Sequence, residues 1–313
     1  MQPDEPHTGA PKSGSAAAKP SGAVKPDTVK PAPEKYASAK SNSMMDLGPR
    51  VLSALVMGVV ALGLLYAGPI PFTCLVLVAA VLMSWEWGMV VRQAGIDAVL
   101  IVHATVVAAA AILAGFGYAA LALIALIAGT LVVVALRFGE KARLSAVGVL
   151  YTGMPAVALI ELRTGGAPYG FLAVLFILIA VIATDTMAYF VGRGVGGPKL
   201  WPAVSPNKTW SGLIGGVTAA AIAGAVFAHF QGEASVVRLA FFAFVLGLVA
   251  QGGDLAESSL KRTHGIKDAS ALLPGHGGLM DRMDGVVAAA IVALLIGLAI
   301  NAYSPARALL LGY

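Results

Sequence analysis

YAALALIALIAGTLVVVAL, residues 118–136, carries no Asp, Glu, Lys, Arg or His. A helix needs roughly 20 apolar residues to cross a hydrocarbon core, and this run meets that length. Working outward, eight more runs of the same kind occur at 51–66, 71–91, 98–115, 145–162, 169–191, 209–230, 239–258 and 285–303. A Gly/Tyr turn between Gly115 and Tyr118 separates the third run from the fourth. The whole chain is 58% hydrophobic and 12% charged, against about a quarter charged in soluble domains. The prediction is an all-α, polytopic integral membrane protein with about nine transmembrane helices.

Charge placement orients the helices. The formal net charge is +5, but the cations do not form one nucleic-acid-binding patch. Lys12, Lys19, Lys25, Lys30, Lys35, Lys40 and Arg50 precede the first span, and most others fall in alternate loops. These are Arg92; Arg137, Lys141 and Arg143; Arg193, Lys199 and Lys208; and Lys261, Arg262, Lys267 and Arg282. Only Arg163, Arg238 and Arg307 remain for the other side. The positive-inside rule puts the N-terminus and the richer loops in the cytoplasm, with the C-terminus outside. The expected setting is the inner membrane, multi-pass, without a nucleic-acid partner.

Residues 1–48 are rich in Ala, Pro, Lys, Ser and Gly and show no apolar periodicity. Such a segment buries too little surface to offset its ordering entropy, so a disordered cytoplasmic tail is expected. It is too long for the basic region of a signal peptide, which makes span one an uncleaved anchor. Its lysines either touch anionic headgroups or are simply solvated. The sole cysteine, Cys74, lies in span two and reads as a small core or lipid-facing residue. No inverted repeat of the transporter kind is present.

Acids inside membrane spans are costly and therefore functional candidates. Glu86, Asp185, Asp254 and Glu257 lie in or near spans, and Asp281 and Asp284 open the last one. Asp254, Glu257 and Ser258 share a helix face by spacing, and Gly252 and Gly253 before them would admit another backbone or a ligand. Carboxylates on two helices suit a hard cation such as Mg²⁺. Plainer readings stand beside these: Glu257 pairs with Lys261 at i, i+4, and Asp284 stabilises a helix N-terminus. His103 and His229 read as packing or interfacial residues.

The most specific stretch runs from Ser258 to Asp284. It holds Ser258-Ser259-Leu260-Lys261-Arg262, Lys267-Asp268, Ser270, Leu273-Pro274, His276-Gly277-Gly278 and Asp281-Arg282-Met283-Asp284. Lys and Arg neutralise phosphates, the glycines bring backbone N–H groups to them, and the aspartates hold metal. Upstream stand Asp185, Tyr189, Gly192-Arg193 and Ser205-Pro206-Asn207-Lys208-Thr209. Pro206 favours an extended Ser205. Thr209 opens span seven, either as an N-cap or as part of an anion site. Together these stretches resemble the phosphatidate cytidylyltransferase family, as does Trp85-Glu86-Trp87, here read as structural. The family often has Glu where Ser211 stands.

The resemblance spans roughly residues 50–313 and makes 49–313 a transmembrane cytidylyltransferase domain, its catalytic part mainly 185–284. It implies CTP and phosphatidic acid as substrates, CDP-diacylglycerol and pyrophosphate as products, a homodimer among membrane lipids, and a cavity facing the cytoplasm. It also implies a two-metal centre, Mg²⁺ with K⁺ as a candidate second ion. Asp254, Asp281 and Asp284 are the expected metal ligands; Lys261 and Arg262 join Asp254 and Asp281 as catalytic residues. Substrate contacts are expected from Asp185, Ser205, Asn207, Lys208, Lys267, Asp268, His276, Gly277, Gly278 and Arg282. The rival readings are a CTP-dependent lipid kinase of the dolichol or phytol type and, from another class, a cation transporter.

Overall fold

The computed structural model describes residues 47–136, 140–272 and 277–313. The expected disordered tail therefore lies outside the described residues, apart from the start of the first helix. Ten helices follow in order: α1 Leu47–Ala67, α2 Pro69–Arg92, α3 Ala98–Gly115, α4 Ala119–Leu136, α5 Glu140–Thr164, α6 Tyr169–Gly194, α7 Trp210–Gln231, α8 Val236–Thr263, α9 Met280–Ile300 and α10 Pro305–Leu311. Eight of them, α2 to α9, are long and apolar enough to cross a membrane. Within α1 the apolar stretch Leu55–Ala67 is shorter.

Local chemistry sets the starts of these helices. Asp97 caps α3, its side chain accepting the Leu100 N–H at 2.7 Å while pairing with Arg92 at 3.0 Å. Ser235 caps α8 and Thr209 caps α7, each satisfying an N–H that the helix leaves orphaned. Pro69 and Pro305 occupy first-turn positions of α2 and α10, where no N–H is missed.

Several helices outrun their apolar windows. α5 begins at Glu140 rather than 145, α8 runs to Thr263 rather than 258, and α9 begins at Met280 rather than 285. Hydropathy marks only the lipid-embedded part, whereas the backbone ladder continues into polar sequence wherever packing supports it. The 192–208 segment, expected as a loop, contains an antiparallel hairpin, β1 Lys199–Trp201 with β2 Ser205–Thr209. Pro206 fits there because a two-stranded ribbon has outer edges that need no N–H. The fold is thus all-α apart from this one hairpin among the described residues.

α2 to α5 pack among themselves, α6 to α9 form a second layer, and α5 joins the two by packing on α6 and α9. The shared core is built mainly of small and branched side chains such as Ala110, Val149, Ala180, Leu246 and Ala290, with Phe176 among them. Outward faces stay apolar; Leu121, Ile124, Ile127 and Leu131 of α4 are exposed, as a lipid-facing surface requires. α10 turns back and packs on α9 and α6, an element with no counterpart in the hydropathy reading because seven residues are too few to register.

Candidate active site

One cavity of about 810 Å³ opens among the end of α6, the hairpin, the start of α7, the end of α8 and the start of α9. That volume is in the usual range for small-molecule sites, roughly 300–1,000 Å³. Asp185, Tyr189 and Arg193 follow each other at four-residue steps on α6 and all line it. Arg193 Nη1 donates to the Tyr189 hydroxyl at 2.8 Å. Lys199, Asn207 and Lys208 enter from the hairpin, Gln251 and Asp254 from α8, and Asp281, Arg282 and Asp284 from α9.

A polar chain runs along one wall. Lys208 Nζ lies 2.6 Å from Asp254 Oδ2 and donates to Gln251 Oε1 at 3.1 Å. Gln251 Nε2 in turn donates to Asp185 Oδ1 at 2.8 Å. Asp185, Asp254 and Asp284 stand within Coulombic reach of one another, and Arg193, Lys199 and Lys208 line the same cavity. Asp284 Oδ1 accepts the Gly285 N–H at 2.7 Å. Its place beside α8 depends on Gly253: a Cβ there would stand 2.7 Å from the Asp284 carbonyl oxygen and 2.8 Å from Ala288 Cβ. The expected close approach thus falls at Gly253; Gly252 faces open space.

A second network lies behind that wall. Lys261 is buried between Glu257, 3.0 Å away, and Asp281, 2.5 Å away. Tyr151 of α5 donates to Glu257 Oε2 at 2.9 Å and stacks on Trp87. Asp281 Oδ2 also accepts the N–H groups of Ala269 and Gly278, at 3.0 and 2.9 Å. Both Asp281 oxygens are therefore engaged by protein donors. Glu86, fully buried on α2, accepts from Ser270 Oγ at 2.5 Å, Leu279 N at 2.8 Å and Met280 N at 2.6 Å.

Of the residues expected from sequence, the cavity brings together Asp185, Asn207, Lys208, Asp254, Asp281, Arg282 and Asp284. Others stand elsewhere. Glu257 and Asp254, expected on one face, diverge: Asp254 looks into the cavity while Glu257 turns inward to Tyr151 and Lys261. Arg262 reaches the carbonyls of Val204 and Ile266 at 3.4 and 3.2 Å, outside the cavity lining. Lys267 and Asp268 are exposed on the connecting loop, and Ser205 is half-buried in the hairpin. Gly277 and Gly278 abut Asp281, and His276 lies outside the described residues. Thr209 accepts the Gly212 N–H at 3.1 Å, as its capping alternative required, and touches Ser211. Ser211 also donates to the Gly196 carbonyl. His103 is buried against Thr152 at 2.9 Å and His229 packs on Phe230, both away from the cavity.

Gln251 and Tyr151 were missed. Gln251 left a signal, since an amide three residues before Asp254 inside an apolar run is unusual. Tyr151 left none, because its partner lies 106 positions away.

Among the described residues, no three His, Cys, Asp or Glu side chains converge closely enough to enclose a metal on their own. The donor set is nonetheless hard oxygen, and the cavity leaves room for phosphate and water oxygens to complete a shell. The acids therefore suit a partly hydrated Mg²⁺ rather than a caged ion.

Comparison with known proteins gives the same direction. A sequence profile described as "Cytidylyltransferase family" matches residues 48–299. A phosphatidate cytidylyltransferase of Brucella abortus is 38% identical over 256 residues, covering 81% of this chain and 94% of the relative. One from Bacillus subtilis is 30% identical over 253 residues, covering 77% of this chain and 94% of the relative. A Haemophilus influenzae protein of the same name is 41% identical over 128 residues, 39% of this chain and 44% of the relative. The matched region holds every helix that builds the cavity and all its acidic residues, and the chain belongs to the cytidylyltransferase family.

Proposed function

We propose that this chain is a phosphatidate cytidylyltransferase, joining CTP to phosphatidic acid to give CDP-diacylglycerol and pyrophosphate. The observation that carries the reading is the convergence of two distant sequence blocks, 185–208 and 254–284, on one cavity whose walls pair acids with phosphate-binding cations. Membership of the family and the printed names of its relatives support the substrates.

Chemically, the attacking atom is a phosphate oxygen of the lipid and the electrophile is the α-phosphorus of CTP. The attacker is already anionic, so no general base is needed; positioning and charge neutralisation supply the catalysis. Arg193, Lys199 and Lys208 hold the phosphates from one side, with Arg282 on the other. Gln251 keeps Asp185 and Lys208 in register. When bound, Mg²⁺ would be held by Asp254 and Asp284, with Asp281 close by, and would offset charge on the departing pyrophosphate. K⁺ is our candidate for a second ion beside it. The Lys261 network orients Asp281 rather than touching substrate. We place the cavity on the cytoplasmic side of the inner membrane and expect a homodimer.

The test is purified protein with labelled CTP and phosphatidic acid, both products identified. CDP-diacylglycerol with pyrophosphate supports the reading; CDP with a phosphorylated lipid would mean a kinase, and no lipid-dependent turnover would leave a transporter. For orientation, single cysteines at 199 or 267 in a Cys74→Ser background should react with impermeant thiol reagents only after lysis.

A further inference from the structure

The geometry points to Glu86 as a positioning residue for the reaction, a carboxylate on α2 that caps α9 from outside and sets where the first turn of α9 meets the cavity. α9 lacks a cap of its own, because Leu279 at that position offers no side-chain acceptor. The first N–H groups of a helix need acceptors, and a buried one left unmet is costly. Glu86 Oε1 takes the Leu279 N–H and Oε2 the Met280 N–H, and Ser270 Oγ donates to Oε1 as well. The negative charge also sits at the positive end of the α9 dipole.

What makes this more than a cap is the second carboxylate gripping the same turn. Asp281 holds the Gly278 and Ala269 N–H groups from the opposite side. Gly278 is wedged between them: a Cβ there would stand 2.8 Å from Glu86 Oε1, 3.0 Å from Asp281 Oδ2 and 3.1 Å from Ala269 Cβ. Glu86 thus fixes residues 278–280, those fix Asp281, and Asp281 fixes Lys261, while Arg282 and Asp284 follow on the same turn into the cavity. Glu86 itself is 0% exposed and absent from the cavity wall, so it acts only through this turn. The role rests on the cytidylyltransferase reading.

Glu86→Gln tests it. The amide keeps the shape but presents N–H groups where a main-chain N–H must be accepted. In detergent-solubilised full-length protein, kcat should fall about 30-fold, somewhat less than the roughly 100-fold that an ångström-scale misplacement can cost. KM for CTP and for phosphatidic acid should stay within about threefold, since most of the cavity wall is untouched. Hydrogen exchange should quicken at residues 277–284 while α6 and α7 exchange as in the wild type, and the thermal midpoint should fall only by what one unmet main-chain N–H costs. An unchanged kcat, counted per folded molecule, would overturn the proposal, as would unchanged exchange at residues 277–284. Should Glu86→Gln not fold, Ser270→Ala removes one donor and leaves both main-chain bonds. Faster exchange at 277–284 with reduced kcat then supports the role, and wild-type values for both refute it. A wild type inactive toward phosphatidic acid would instead overturn the proposed function, and the exchange comparison would still decide the role of Glu86 in the turn.

Discussion

At the cavity end of the helices two lysines are held by carboxylates: Lys208 pairs with Asp254, and Lys261 lies between Glu257 and Asp281. At the opposite end, among the described residues, the three arginines meet carbonyls and aromatic rings instead. Arg163 donates through Nε and Nη2 to the Leu65 carbonyl, at 3.1 and 2.8 Å, and Arg238 donates to the Leu310 carbonyl at 3.2 Å. Arg307 lies over the rings of Tyr169 and Tyr313. Leu65 and Leu310 belong to the last turns of α1 and α10, where carbonyls lack intrahelical donors. A cation there completes a helix end and is not available for exchange. A cation paired with a carboxylate can change partners when a phosphate or a metal ion arrives, so only the cavity end can rearrange its charges around a substrate.

The sharpest way to break this contrast is at the exchangeable end. Asp254→Asn and Asp281→Asn keep shape but remove charge, leaving Lys208 or Lys261 short of a counter-ion. Each should lose at least about 100-fold in rate, on the order of 2.7 kcal/mol of barrier, in CDP-diacylglycerol formation by membranes with matched protein levels. Asp254→Asn should recover in part as Mg²⁺ is raised; near-normal activity in it would remove the site. Gly253→Val comes next. Its Cβ would meet the Asp284 carbonyl and part α8 from α9, costing about 1–3 kcal/mol by overpacking, read as a lowered thermal midpoint together with reduced turnover.

The other end should respond in stability alone. Arg163→Met strips the Leu65 carbonyl of its donor, about 1–3 kcal/mol for a buried polar group left unmet. Turnover at 25 °C should stay within about twofold, measured per folded molecule; a large kcat effect would mean that the two ends are coupled. Smallest of all is removal of residues 1–46, which ends just before α1. Rate should change by less than about threefold, roughly 0.65 kcal/mol, and complete loss with intact insertion would give the tail an essential role.

Sequence alone yields one half of this picture well. The spans were legible because a hydrocarbon medium leaves little choice of residue type, so Ala119–Leu136 announces itself without any knowledge of neighbours. Asp185, Lys208, Asp254 and Asp284 were legible because charge in or beside a span needs a reason. The sorting within the acidic cluster was not. Spacing puts Asp254 and Glu257 on a common face, yet Tyr151 on a distant helix draws Glu257 inward. Arg262 reads as a phosphate ligand, but the hairpin carbonyl of Val204 lies within its reach, and the hairpin itself escaped notice because its five-residue second strand contains a proline. Pairwise partners across helices decide such roles, and no local pattern records them.

The seam between α6 and α7 carries its own consequence for how such a sequence can drift. Gly192 sits against the Thr209 hydroxyl, Gly212 and Gly216 against the α6 carbonyls of Ala188 and Thr184, and Gly215 against Val191, so that an added Cβ would come within 3.0 Å at each. Along the lipid-facing side of α4, Leu, Ile and Val are interchangeable, since acyl chains make no demand on shape. Over evolutionary time the outer face is therefore free to wander through apolar alphabets while the seam stays locked to hydrogen. The helices that carry Asp185 and Thr209 are held in register by positions with no side chain at all, and a lineage could replace most of its surface before it could alter one of them.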